Sequence, residues 1–130
     1  MKKSGEKMYS YVHFEKELMP GYHKEIKNSK NATEVEAVFI GTCFKLLEKV
    51  ETELDKKDIE QIVFTPEKEK KWDINRLLTE KIEEKFSNSD LNAIINRFAD
   101  EAFKRHEHII KRDEDREFVN SRSGDVVNGK

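Results

Sequence analysis

The stretch from Val35 to Leu54 constrains this chain more than any other. Val35, Phe39, Cys43, Leu46, Leu47, Val50 and Leu54 recur at three- and four-residue steps, which places them on one stripe of an α-helix. Val38, Ile40 and Phe44 widen that stripe beyond half of the helix girth, so the helix needs neighbours on two sides. Thr33 followed by Glu36 has capping-box spacing, in which hydroxyl and carboxylate satisfy unpaired amides of a first turn. The pattern predicts a central helix from about Glu34 to Asp55. Gly41 in its interior costs about 1 kcal/mol relative to Ala, which predicts a close helix crossing there.

The remaining segments follow the same period. Met8, Tyr11, Val12, Leu18 and Met19 predict a first helix of about three turns that stops at Pro20-Gly21, with a further helical turn around Ile26. Asp58 and Gln61 can cap a short helix over Ile59 to Phe64; Ile62-Val63-Phe64 also suits a strand, but no second strand-like run is evident to pair with it. Thr65-Pro66 reads as a cap followed by a first-turn proline, opening a helix whose buried side is Trp72, Ile74, Leu77, Leu78, Ile82 and Phe86. Ser87 to Asp90 breaks that helix and offers a new cap. The last helix carries Leu91, Ile94, Ile95, Phe98, Ala102, Phe103, Ile109 and Ile110 and extends to about Phe118. From Asn120 onward Ser, Gly, Asn and Asp dominate, the composition of a flexible tail. The fold expected is all-α: a single-domain antiparallel bundle of four main helices over residues 1–119, with a tail at 120–130.

Charge narrows the function. Charged residues make up 40% of the chain, yet 25 Lys and Arg nearly balance 27 Asp and Glu, for a net charge of −2. A dedicated phosphate-backbone binder carries a clear basic excess, so nucleic acid is not the expected partner. Arg97, Lys104, Arg105, Lys111 and Arg112 nevertheless share the last helix and keep a weak nucleic-acid reading open, although interspersed Asp100, Glu101, Glu107 and Asp113 cancel much of their field. No apolar run reaches the roughly 18 residues of a membrane span, and Met1 to Glu6 lead into no signal-peptide apolar region. With a single cysteine there is no intrachain disulfide. The expectation is a reduced, cytoplasmic protein without membrane contact.

Candidate chemistry is sparse. His13 and Glu17 are the only His-acid pair at four-residue helical spacing. They match the His-x-x-x-Glu element of hemerythrin-like proteins, and His108/Asp113 match that family's His-x-x-x-x-Asp element, but the middle helices supply no histidine. His106 and His108 stand about 200° apart around a helix and cannot share an ion. Glu48/Glu51 and Glu80/Glu83 place carboxylates three apart on two predicted helices. This spacing resembles the first acidic element of the all-α nucleotide pyrophosphohydrolases; the second pair ends in Glu83 where that family has Asp. The resemblance implies magnesium-binding carboxylates and is the enzyme alternative. Lysines interleaved among these acids equally fit surface ion pairs. Cys43, central in the apolar helix, reads as a buried, inert thiol, and no Gly-x-Ser-x-Gly or phosphate-binding glycine loop occurs.

The remaining reading is a small interaction or regulatory module without catalysis and without a cofactor. Tyr9, Tyr11, Phe14 and Tyr22 gather near the N-terminus, more aromatic surface than a peripheral helix needs for its own packing. They are the expected contact for a protein partner or for a second copy of the chain.

Overall fold

Two helices far apart in sequence lie side by side and point the same way. In the computed structural model, which describes residues 10–127 and the side chains of residues 10–113, the chain runs α1 (Val12–Asn28), α2 (Ala32–Val50), a 3-10 helix (Lys56–Gln61), β1 (Ile62–Phe64), β2 (Trp72–Ile74), α3 (Arg76–Ser87) and α4 (Leu91–Val127). It is mostly helical, with one two-stranded sheet. The partners of α1 along α4 advance together: Tyr11 with Asp90, Glu15 with Arg97, Tyr22 with Phe98, and Ser29 with Arg105. α1 and α4 are therefore parallel. α2 turns back after three residues, and Lys49 near its end reaches Glu17 near the beginning of α1, so α2 is antiparallel to both. In an up-down-up-down bundle of four helices the first and last would be antiparallel, so this arrangement differs from the expected one. α3 is the reason. It packs on the 3-10 helix and hands the chain to the start of α4, without adding a full antiparallel layer.

α1 continues through Pro20-Gly21, where the sequence pattern places its end. A mid-helix proline removes one backbone hydrogen bond and crowds the preceding turn. Tyr22 and Ile26, 2% and 3% exposed, lie beyond it and reach the core only if the helix carries on, which offsets that cost. α2 begins at Ala32, and its cap lies two residues before the predicted one. Asn31 Oδ1 accepts the Glu34 N–H at 2.9 Å, so the cap is Asn31 and not Thr33, while Glu34 Oε1 accepts the Lys30 N–H at 2.7 Å, one residue before the cap. α2 ends at Val50, short of Asp55. Its buried side holds Val35, Phe39, Cys43, Leu46 and Leu47, all without exposure. The position where a Gly41 Cβ would stand meets nothing within 4 Å, so the close crossing predicted there does not occur.

Ile59 to Gln61 belong to the 3-10 helix, but Ile62–Phe64 form a strand, so the expected short helix stops at Gln61 and no helix starts at Thr65-Pro66. β1 and β2 pair antiparallel in the register Ile62↔Ile74, Val63↔Asp73 and Phe64↔Trp72. Ile62, Phe64, Trp72 and Ile74 turn to the core while Asp73 faces out, the period-two alternation of a half-buried sheet. Thr65-Pro66 opens the connecting turn, in which the Thr65 N–H and hydroxyl donate to the Lys71 and Lys70 carbonyls at 2.7 and 2.8 Å. Residues 67–71 are all Glu or Lys, so a helix there would bury nothing. The hairpin rests on α2 through Phe64 and Phe39, whose centroids are 5.2 Å apart, and on α4 through the Trp72 indole N–H, which donates to Asn96 Oδ1 at 2.6 Å.

α3 buries Leu78 and Ile82, whereas Leu77, assigned to the buried side from sequence, is 66% exposed. Lys81 on α3 donates to Asp58 Oδ2 at 2.8 Å, and the same oxygen accepts the Asp55 N–H that opens the 3-10 helix. The break at Ser87–Asp90 falls where expected. Ser89 Oγ accepts the Leu91 N–H at 3.1 Å, leaving the Asp90 carboxylate for α1. α4 continues to Val127, past Phe118, so its helical backbone takes in residues 120–127 of the expected flexible tail; residues 128–130 lie outside those described. The sequence pattern misses this because residues after 113 are mostly polar and give no apolar stripe to extend.

The parallel pair depends on Arg97, whose Nε and Nη2 donate to the two oxygens of the buried Glu15, each at 2.7 Å. Arg97→Ala leaves that carboxylate without its fork. It is expected to lower unfolding free energy in urea by about 2 kcal/mol; a loss within the error of the titration would contradict the clamp.

Candidate functional site

Two surfaces emerge when the site residues are placed. The first is an aromatic edge at the start of α1. Tyr11, the residue that caps α1, is half-buried and stacks on half-buried Phe14 with centroids 6.0 Å apart and planes within 8°. The exposed ring of His13 lies 4.1 Å from the Phe14 centroid, and Lys49 Nζ stands 5.7 Å from it on the other helix. Tyr22 does not belong to this edge. It is buried, packs edge-on against Phe98 at 4.7 Å, and its hydroxyl donates to the Phe98 carbonyl. Burial first, then the nearby Cys43 and Glu101, pushes its phenol far up, so it serves the core as a neutral donor. Sequence spacing groups Tyr22 with the N-terminal aromatics because it ends α1 at Pro20; once the helix continues, Tyr22 falls on the inward stripe. Tyr9 lies outside the described residues.

The second surface is a groove between α1 and α4, about 700 Å³ and open to solvent. Ile26 forms its apolar floor. Lys27 on one wall and Lys104 and Arg105 on the other line it, with Asp100 and Glu101 among them. His23 Nδ1 is hydrogen-bonded to Glu101, a cross-helix His-acid pair 78 residues apart that no local spacing announces. Arg105 donates through Nε and Nη2 to the Ser29 carbonyl, at 3.2 and 2.7 Å, and Arg112 Nη2 donates to the Lys30 carbonyl at 3.0 Å. Both hold the α1–α2 connection onto α4.

Three of the five basic residues considered for phosphate contact thus have structural work: Arg97 on Glu15, Arg105 on Ser29 and Arg112 on Lys30. The weak metal candidates separate. Glu17 reaches Lys49 at 3.3 Å, while His13 sits against Phe14. Glu48 is exposed on α2, Glu51 has left the helix and accepts the Glu53 N–H at 3.2 Å, Glu80 pairs with Arg76 at 3.1 Å, and Glu83 is exposed. Among the described residues no three His, Cys, Asp or Glu side chains gather in a metal-holding arrangement. His106 packs edge-on against Phe64 at 5.9 Å, His108 lines the groove, and Asp113 lies 3.6 Å from Arg112. Cys43 is fully buried, and burial pushes its thiol far above the ordinary range, away from thiolate chemistry. No described helix is long and apolar enough to cross a membrane.

Two carboxylates tie elements of the fold together, Asp58 through Lys81 of α3 and Asp90 through Tyr11 at the start of α1. The hydrogen bond from Lys81 holds the Asp58 carboxyl below the usual range against the opposing effect of desolvation. Desolvation pushes Asp90 up, but the Tyr11 N–H at 2.9 Å, the Ser10 hydroxyl at 2.7 Å and the charge of Arg97 outweigh it, and the net shift is downward. A carboxyl depressed in the folded state contributes stability that is complete above the unfolded value of about 4 and is lost as pH falls through the folded pKa. Thermal unfolding followed from about pH 6 to about pH 2 is expected to show stability dropping below about pH 4, with a shallower drop in Asp90→Asn; equal slopes for the two proteins would contradict this role of Asp90.

Comparison with known proteins finds no matching family model, no matching curated protein and no matching solved structure.

Proposed function

We propose that this chain is a small interaction module that acts by binding a protein surface, first of all a second copy of itself, and not by catalysis. The observation that carries the reading is the aromatic edge. Tyr11 and Phe14 form a stacked pair that is only half-buried, at a helix start held rigidly by Asp90. Stiff aromatic side chains supply large contact area at low entropic cost, and they dominate the energetics of many interfaces. Around them Lys49 and Glu17 place one charge of each sign, so a twofold arrangement of two copies can set each lysine against the other copy's glutamate. The net charge of −2 gives a second copy little to repel it. A cytoplasmic setting and a homo-oligomeric state belong to this proposal.

The polar groups that face each other across the helices support the same reading. Buried Glu15 and Asp58 and half-buried Asp90 have hydrogen-bond partners that tie elements together, a use of charge that fits a rigid scaffold.

Light scattering coupled to size exclusion tests the proposal. The wild-type chain is expected to show a mass above that of the 15.4 kDa monomer that rises with loading concentration. The Tyr11→Ala/Phe14→Ala variant is expected to elute as a monomer while keeping its helical circular dichroism. A monomeric wild type at every concentration, or an unchanged mass in the folded variant, would overturn it.

A further inference from the structure

We propose that the α1–α4 groove is a second binding surface, separate from the aromatic edge, and that it receives a short acidic peptide segment of a partner protein. Its lining holds four formal cations against two acids, in a chain whose overall charge is negative. The internal pairings sharpen that contrast. Arg97 is matched by Glu15 from α1, which leaves Lys27, Lys104 and Arg105 against Asp100 and Glu101, the latter hydrogen-bonded to His23. None of these three cations is ion-paired among the described residues.

Arg105 is the decisive member. Its guanidinium is half-buried and fixed by two hydrogen bonds to a carbonyl oxygen, which is neutral, so its charge is held in position without a counter-ion. A guanidinium carries five N–H donors, and two of its nitrogens serve Ser29. The rest of its hydrogen-bonding capacity and its whole charge are pre-organised for an incoming carboxylate. Lys27 from α1 and Lys104 from α4, both exposed, add charges on opposite walls.

Shape and charge pattern select the class of ligand. Lys27 stands on α1 and Lys104 and Arg105 on α4, so cations flank the open trough from both sides, which fits carboxylates of an extended or helical segment lying in it. A continuous polyanion would reach past the groove over a chain whose net charge is −2, whereas a short acidic segment stays within it.

The test uses the full chain and a fluorescein-labelled peptide of about ten residues, alternating Glu or Asp with Leu and Ala, read by fluorescence anisotropy. Binding is expected to weaken roughly tenfold between about 50 and about 300 mM NaCl. Lys27→Glu/Lys104→Glu is expected to weaken it at least about tenfold, because both residues are exposed and the reversal leaves the Arg105 clamp intact. The same reversal at exposed Lys56 and Lys57, on the 3-10 helix, is expected to change nothing. Binding retained by the Tyr11→Ala/Phe14→Ala variant separates this surface from the self-association edge. The proposal is overturned by no anisotropy change at about 1 mM protein, by equal losses in the two charge-reversal variants, or by tighter binding of a single-stranded oligonucleotide of matching charge.

Discussion

The stripe of polar contacts from α4 to α1 fixes everything else in this molecule. Asp90, Arg97, Arg105 and Arg112 stand seven, eight and seven residues apart, close to whole pairs of helical turns, and so face one way. Asp90 accepts the Tyr11 N–H at one end of α1, Arg97 grips Glu15, and the two later arginines hold the carbonyls of Ser29 and Lys30 beyond the other end. The arginines there also complement the negative end of the α1 dipole. With α1 laid parallel to α4, α2 must return between them in the opposite sense, and its wide apolar face is covered by both helices and by the hairpin.

The apolar plan of the core was legible in the sequence because burial imposes a period. The α2 stripe, the inward positions of α4 and the break at Ser87–Asp90 stand where the pattern places them. Two kinds of information were not legible. Ile62-Val63-Phe64 suits a strand by itself, but its partner Trp72–Ile74 is only three residues long and shows no run of its own, so the sheet emerges only from the pairing of Phe64 with Trp72 across the turn. And Pro20 reads locally as a stop, while the reason to ignore it, Tyr22 against Phe98, lies 76 residues away.

The same locality limits the reading of function. Arg97, Arg105 and Arg112 look in sequence like a basic helix face available to phosphate; their partners are a carboxylate and two carbonyls brought in by tertiary structure. Glu48, Glu51, Glu80 and Glu83 have metal-like spacing in pairs, but α2 ends between the first two and Arg76 takes one of the second. Tyr11 and Phe14 are half-buried against the core, and Tyr22 is fully within it. What the fold leaves at the surface is a half-buried aromatic edge, and a trough whose fixed guanidinium has no ion-pair partner among the described residues.

Direction is the most exposed part of this account, since all of the clamp contacts require α1 and α4 to be parallel. A nitroxide attached at exposed His13→Cys, with Cys43 protected by burial, reports it through paramagnetic broadening of assigned amide resonances. Parallel helices predict that the amides of Leu91 to Arg97 are broadened and those of Arg105 to Arg112 are spared. Broadening at Arg105 to Arg112 with Leu91 to Arg97 intact would show an antiparallel pair and contradict the account.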